Sequence, residues 1–514
     1  MRGASISEAM QYDDIIVGAG SSGAALAARL SEDPARRVLL LEAGPDYASL
    51  EATPKDLLGP DPSLRDHDWA LRATSSAGRR IPFPRGKTVG GSSAVNGAVA
   101  LRGVPADYEH WAALGNTEWS WNALLPYFKR LEDDELGPSA LHGSGGPIPV
   151  RRSKVEQFCA TQLAAHRSFR ALGFAEVADH NEPESTGVGP IPLNLRDNIR
   201  ISTALGYLLP ARKRPNLEVR GGCLVARVLI EGGRAVGVEL VSHQQLRARR
   251  VTLSAGAIHT PALLMRSGIG ARADVARLGI DPVADLPGVG ARLIDHPGGG
   301  IYAIPRAGAQ GEADPNHQTM VRYTAEGSLH FNDMQLFLFG RIPLKGTRLE
   351  HSIGAQPYLA CASLVKPRTV GRLRIESADP NAAPALDLNF CSDDDDQRRM
   401  AGGFRHCWNA LHTAPLADRI ERIPYWTDAA FRSEETLIAA MTPAVATAYH
   451  PVGTAPMGPD GDEGAVVDQR CRLRGIEQLR VVDASVMPSI PRANTNLPCM
   501  MIAERVADWM RAES

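Results

Sequence analysis

No stretch of this chain approaches the roughly 20 apolar residues that cross a bilayer, and residues 1–11 lack the apolar core of a secretion signal. No membrane span is expected, and a soluble, cytoplasmic protein is. Cysteine is sparse as well: the seven, Cys159, Cys223, Cys361, Cys391, Cys407, Cys471 and Cys499, are scattered, odd in number and never spaced Cys-x-x-Cys. Neither a disulfide framework nor a zinc site is indicated, and no metal is expected. Charge of one sign is missing too, since 56 basic against 58 acidic residues leave a formal charge of -2. That balance argues against a nucleic-acid or anionic-membrane surface and leaves small-molecule chemistry. The 44% hydrophobic and 22% charged content is ordinary for a globular protein, and 514 residues exceed what one core usually fills. Two domains are expected.

What is present begins at residues 12–44, YDDIIVGAGSSGAALAARLSEDPARRVLLLEAG. Residues 13–17 read as a buried strand, Gly18, Gly20 and Gly23 as the turn, 24–30 as a helix and 38–41 as a parallel strand ending in Glu42. Each glycine has a job: Gly18 permits the tight turn, Gly20 lets backbone approach a pyrophosphate, and Gly23 lets helix and strand pack closely. The helix N-terminus offers unpaired N–H groups to phosphates, and Glu42 accepts from ribose hydroxyls.

The chain does not continue as repeated βαβ units, which separates it from a plain nicotinamide dehydrogenase. Residues 45–84 lack periodicity and lead into a glycine cluster, RGKTVGGSSAVNG, at 85–97; a loop this long is usually functional or a lid. An amphipathic helix is expected over 155–174, a β-meander over 217–240 with Glu231-Gly232-Gly233 as its turn, and a strand at 251–254 running into a helix at 255–267. Residues 298–443 turn to short strands such as 334–339 and helices such as 395–412. A short strand at 479–482 ends in Asp483, and a helix spans 497–510. The expected fold class is α/β (α+β overall): a Rossmann-like nucleotide domain, discontinuous over 1–155, 215–300 and 450–514, with an inserted substrate domain of antiparallel sheet and helices at 156–214 and 301–449.

Four segments in order carry a resemblance. They are the opening unit; Arg85-Gly86-Lys87 through Gly90-Gly91-Ser92-Ser93 to Asn96; GAIHTPALLMRSGIG at 256–270 with LPGVGARLIDHP at 286–297; and YHPVGTAPMG at 449–458 with VVDASVMPSIPRANTNLP after it. Together they resemble the glucose-methanol-choline (GMC) oxidoreductases, which bind FAD. Residues 141–152 and the Trp119/Trp121 region are similar to bacterial, hydroxymethylfurfural-oxidase-like members. The resemblance implies an enzyme that oxidises a small-molecule alcohol to an aldehyde or ketone, with O2 (giving H2O2) or another acceptor taking the electrons. Relatives that are hydroxynitrile lyases or flavin photodecarboxylases keep non-redox and light-driven readings open.

The same resemblance implies roles for residues. His450 is the catalytic base and Asn494 the second catalytic residue, holding the substrate oxygen; as a helix N-cap, Asn494 also has a structural reading. FAD contacts fall at Gly18, Gly20, Ser21, Ser22, Gly23, Glu42 and Ala43 in the opening unit, and at Arg85, Val89, Gly91, Ser92, Asn96, Gly97 and Ala98 in the glycine cluster. Val225, Ala255, Gly256, Tyr449, Asp483 and Ala484 join them. Thr495 and Asn496 stand at a helix N-terminus suited to anionic reduced flavin. Some relatives attach FAD through a histidine just before the position of Asn96; here Val95 stands there, so FAD is expected to be non-covalent. His259, His296 and His351 are candidates for the pocket, and Phe337, Phe339, Trp408, Tyr425 and Trp426 for cavity lining or core. Asp393 to Asp396 reads as the solvated first turn of a helix rather than a metal site.

Overall fold

The computed structural model describes residues 11–63, 66–311, 313–342, 344, 350–353 and 356–513. The run of apolar residues in Val38–Leu41 is buried on both faces, as a strand inside a parallel sheet must be. It lies between Tyr12–Val17 and Leu217–Arg220, and Tyr12–Val17 pairs on its other side with Gln245–Leu253, which in turn pairs with Leu479–Val481. These five strands are parallel. Two antiparallel strands, Val225–Glu231 and Arg234–Leu240, extend the sheet from the first half of Gln245–Leu253. The meander expected over 217–240 is therefore displaced: Leu217–Arg220 belongs to the parallel edge, and the meander runs from Val225 to Leu253. Gly222, at φ +69°, makes the break between them.

Helix Ser21–Leu30 follows the glycine turn, starting three residues before its expected position, and packs along the C-terminal helix Asn496–Ala512. Gly18 (φ +98°) is fixed by its neighbours, because a Cβ there would stand 2.5 Å from the carbonyl oxygen of Ser254. Gly23 is fixed similarly, with only 1.9 Å to the carbonyl oxygen of Gly18.

A second, antiparallel sheet runs Ile420–Arg422, Pro297–Pro305, Tyr358–Leu364, Met334–Phe339, Thr319–Tyr323 and Gly187–Pro190, with Ala446–Thr447 added beside Pro297–Pro305. Helix Asp394–Leu411 covers one face. The change of sheet comes at Pro297, so the domain boundary expected after residue 300 falls inside a strand. The helix expected over 155–174 is shorter, Ala160–Ala171, because Phe158 and Cys159 are extended and the Cys159 N–H donates to Gln318 Oε1. In a further four-stranded sheet, Arg72–Thr74 and Arg80–Pro82 join Arg372–Arg374 and Ala385–Asp387, tying the unpatterned 45–84 stretch to the middle of the chain.

Candidate active site

The opening turn and the C-terminal helix meet at their N-termini. Ser21 Oγ donates to Asn496 Oδ1 at 2.8 Å and Ser22 Oγ to the carbonyl of Cys499 at 2.9 Å. Neither helix has a side-chain cap, so both present free N–H groups to one cavity of about 1160 Å³. That exceeds the roughly 300–1,000 Å³ of a usual small-ligand pocket, leaving room for a large cofactor and a substrate together.

The nucleotide sheet contributes Gly18, Gly20, Ser21, Ser22, Glu42, Ala43, Val225, Ala255 and Gly256 to the cavity wall. The glycine cluster adds Arg85, Gly91, Ser92, Val95, Asn96 and Gly97, and the C-terminal segments add Tyr449, His450, Asp483, Ala484, Asn494, Thr495 and Asn496. Three expected contacts do not line it. Gly23 is spent on helix–strand packing, Val89 is buried with its N–H on the carbonyl of Pro45, and Ala98 is buried at φ +59° with its N–H on Asn96 Oδ1. Glu42 accepts from the N–H groups of Ala19 and Gly44 at 3.0 and 2.9 Å, and burial pushes its pKa up to about 7. Asp483 accepts from Gly256 N–H, Thr260 and Ser485, holding the end of strand Leu479–Val481 to the start of helix Gly256–Arg266.

The cavity accepts a dinucleotide where backbone must approach it. Gly91, at φ +51°, lies so close to the opening turn that a Cβ would stand 2.6 Å from Gly20 Cα. Asn494 Oδ1, Asn496 Nδ2 and His259 Nε2, on cavity-lining residues, are buried without a partner among the described residues. Such groups suit a polar ligand.

His450 and Asn494 are brought together: the Asn494 amide nitrogen lies 3.0 Å from His450 Nε2. Because that nitrogen donates, Nε2 accepts, which is the form a base needs. The helix cap falls at Thr495, so the side chain of Asn494 is free for this contact. His296, expected only as a pocket candidate, lies with Nδ1 3.0 Å from His450 Nδ1. Asp295 pins the pair by accepting from the backbone N–H groups of both His296 and His450 at 2.8 Å, with the Thr447 hydroxyl also donating to it. Burial depresses the pKa of His450 well below 6.5, with His296 and Arg85 adding to the effect, and takes His296 down to about 3. Asp295 is pushed up to about 6 by burial.

Among the other candidates, His259, Phe337, Phe339, Tyr425 and Trp426 line the cavity, whereas Trp408 stacks on Phe431 outside it. His351 is not on the wall. The acidic run departs from its expectation: Asp393 caps helix Asp394–Leu411, but Asp396 is 1% exposed and bonded to Thr369 and Arg399. The sequence reading missed Tyr302, Cys361 and Gln335, which reach the cavity only through pairing in the antiparallel sheet.

A doubly glycine-lined nucleotide turn opening onto a histidine–asparagine pair defines a cofactor-dependent enzyme rather than a binding module. The chain belongs to the GMC oxidoreductase family, whose N-terminal model matches residues 12–298 and whose C-terminal model matches residues 367–503. It is accordingly an FAD-dependent oxidoreductase. The 5-(hydroxymethyl)furfural oxidase of Methylovorus sp. (strain MP688) is 36% identical over 97% of this chain and 98% of its own. The oxygen-dependent choline dehydrogenase of Brucella anthropi is 34% identical over 97% and 95%. Among solved structures, pyridoxine 4-oxidase from "Mesorbium loti" superposes with a TM-score of 0.88 at 30% identity, covering 98% of this chain and 99% of its own. No helix among the described residues is long and apolar enough to cross a membrane.

Proposed function

We propose that the protein oxidises a primary or secondary alcohol to the aldehyde or ketone, with His450 as the base and Asn494 as its partner. The observation that carries this reading is the 3.0 Å contact between the Asn494 amide and His450 Nε2 in a cavity continuous with the opening glycine turn. Bound FAD supplies the hydride acceptor, and O2 or another acceptor closes the cycle. His450 Nε2 takes the hydroxyl proton as the carbinol carbon gives up its hydride, and its neutral state suits that task. Asn494 holds the alcohol oxygen, so the carbinol is oriented before the proton moves. Gly20, Gly91 and the N-terminus of Ser21–Leu30 would cradle the pyrophosphate of bound FAD, Glu42 would accept from its adenosine ribose, and Val225 would serve the adenine. Arg85, Ser92, Asn96, Gly97, Tyr449, Asp483 and Ala484 would hold the remaining length, and the free N–H groups at Thr495 and Asn496 would offer positive potential to the ring. Val95 offers no nucleophile at the position of attachment, so FAD is held non-covalently.

Anaerobic addition of a substrate alcohol bleaches the flavin, and His450→Ala slows that bleaching by two or more orders of magnitude (about 10²–10⁴ for a lost general base). Unchanged bleaching in the variant would remove His450 from the reaction. Acid precipitation of the same preparation releases the flavin to the supernatant; yellow colour kept in the pellet would overturn the non-covalent assignment.

A further inference from the structure

Strand Met334–Phe339, with the sequence MQLFLF, turns alternate side chains to the cavity: Gln335, Phe337 and Phe339 line it. Register sets Gln335 beside Ser363 and Ser363 beside Gly298, so one row of side chains crosses three strands. A Cβ on Gly298 would lie 3.7 Å from the Cβ of Ala448, two residues before His450. Phe337 packs with Ala98 and Ala493, the latter adjoining Asn494. This wall therefore faces the His450–Asn494 pair.

Gln335 is the one polar residue of that strand. It is 2% exposed, and its Nε2 is buried without a partner among the described residues. Directly opposite on the neighbouring strand stands Arg322, 1% exposed, which uses Nη1 on the carbonyl of His180 while Nε and Nη2 have no partner among the described residues. A buried polar group left unpaired costs about 1–3 kcal/mol, so an unsatisfied amide in an otherwise apolar strand calls for an external partner. Because its cross-strand partner Arg322 only donates, the buried end of the amide is assigned as the oxygen, which leaves the NH2 as a donor to the cavity.

We infer that Gln335 is a specificity-determining residue whose amide donates to a hydrogen-bond acceptor on the substrate, at the end remote from the carbinol carbon. The substrate class is then a flat, uncharged alcohol carrying such an acceptor, an inference that rests on the alcohol-oxidising reading. Two strand spacings, about 10 Å, separate the Gln335 position from that of Gly298, the reach of a para-disubstituted ring. Phe337 and Phe339, nearly parallel at 20° and 5.9 Å apart, offer flat apolar surface beside it. Among the described residues, each carboxylate of the cavity wall already has a basic or donor neighbour, which favours an uncharged substrate over a cationic one. Of the carboxylates on the cavity wall, Glu42 and Asp483 are taken by N–H and hydroxyl donors, and Asp61 faces Arg341 at 3.8 Å.

The test compares para-acetylbenzyl alcohol with its apolar isostere, para-isopropylbenzyl alcohol, in anaerobic bleaching of the holoenzyme at subsaturating concentration. The native protein prefers the acetyl compound by about tenfold or more, the worth of one hydrogen bond in a dry site. In Gln335→Leu the acetyl rate falls and the preference disappears, while the isopropyl rate is kept. Gln335→Glu, whose carboxylate pairs with Arg322 and cannot donate, loses the preference as well and stands in if the leucine variant does not fold. A native preference that is absent, or that survives both substitutions, overturns the inference. Acetophenone, which cannot be oxidised, separates this failure from failure of the alcohol reading. Its calorimetric affinity for the holoenzyme drops about tenfold in Gln335→Leu whether or not either alcohol reacts, and equal affinity overturns the role of Gln335 alone.

Discussion

The protonation of His450 is decided by three neighbours that lie far from it in sequence. Its Nδ1 meets Nδ1 of His296, 154 residues earlier, and two nitrogens in that position share one hydrogen. With Asn494 donating to Nε2, the hydrogen of His450 sits on Nδ1 and is donated to His296. A second proton on His450 would break this arrangement and face Arg85, which is why its pKa is depressed by burial first and by these charges second. The proposed base is therefore unprotonated across the neutral range. The pH profile of kcat/KM, which reports the free enzyme, is expected to be flat through 6.5, the ordinary histidine value, and to fall only at distinctly more acid pH as His450 gains its proton. An acid limb centred at or above 6.5 would contradict the geometry. His450 was legible from its motif, and Asn494 from the segment before the last helix. The partnership with His296 was not, because it depends on Ala446–Thr447 pairing with Pro297–Pro305.

At the scale of elements, legibility followed how local the determinants are. Strand Val38–Leu41 and strand Met334–Phe339 match their expected bounds because their composition alone fixes them. Gly187–Pro190 was not foreseen as a strand: GVGP has no alternation, and only Thr319–Tyr323 beside it gives it one. The glycine cluster stood out in the sequence, but its close approach to the opening turn did not. Gly91→Ala would put a methyl 2.6 Å from Gly20 Cα, backbone against backbone, in addition to the strain of φ +51°. Gly232 has a similar φ of +58° with nothing within 4 Å, so Gly232→Ala carries the strain without the collision. The hairpin variant is expected to lose about 1–2 kcal/mol with full flavin content. The Gly91 variant is expected to lose more stability and most of its bound flavin, read as the ratio of flavin to protein absorbance after desalting. Equal flavin content in the two would show that the Gly20–Gly91 approach does not shape the cofactor site.

For the molecule as a whole, the sequence suggested two bodies interleaved along the chain, and the strands that tie them together could not be read from it. The strand that opens the antiparallel sheet leads straight out of Asp295-His296, and a four-stranded sheet joins residues 72–82 to 372–387. A further tie lies in a buried cluster outside the cavity, where His142 is 5% exposed. Its Nδ1 lies 3.1 Å from Asp134 and 3.6 Å from Glu132, and its Nε2 3.0 Å from Asp179. Arg102 bonds Glu132, and Arg152 bonds both Asp134 and Asp179. His180, next to Asp179, receives Arg322 from the antiparallel sheet, so the cluster holds residues 102–152 to the substrate wall.

Three carboxylates and two guanidiniums balance only when His142 carries a charge. The hydrogen bonds to Asp134, Asp179 and Glu132 raise its pKa to about 10. Burial alone would raise Asp134 and Asp179, but His142 and Arg152 hold both below the ordinary carboxylate range, Asp179 at about 2. The histidine's contribution is thus complete below 6.5, its ordinary value, and is lost as pH rises through about 10. The aspartates' contribution is complete above 3.8 and is lost as pH falls towards their lowered values. His142→Ala leaves an unbalanced buried carboxylate and should cost about 3–5 kcal/mol at pH 7. Urea unfolding of holoenzyme and variant should show that gap at pH 7 and a much smaller one above about 10, where the native histidine has lost its proton. A gap of the same size at both pH values would mean that His142 contributes packing and not charge, and that the carboxylates are balanced by the guanidiniums alone.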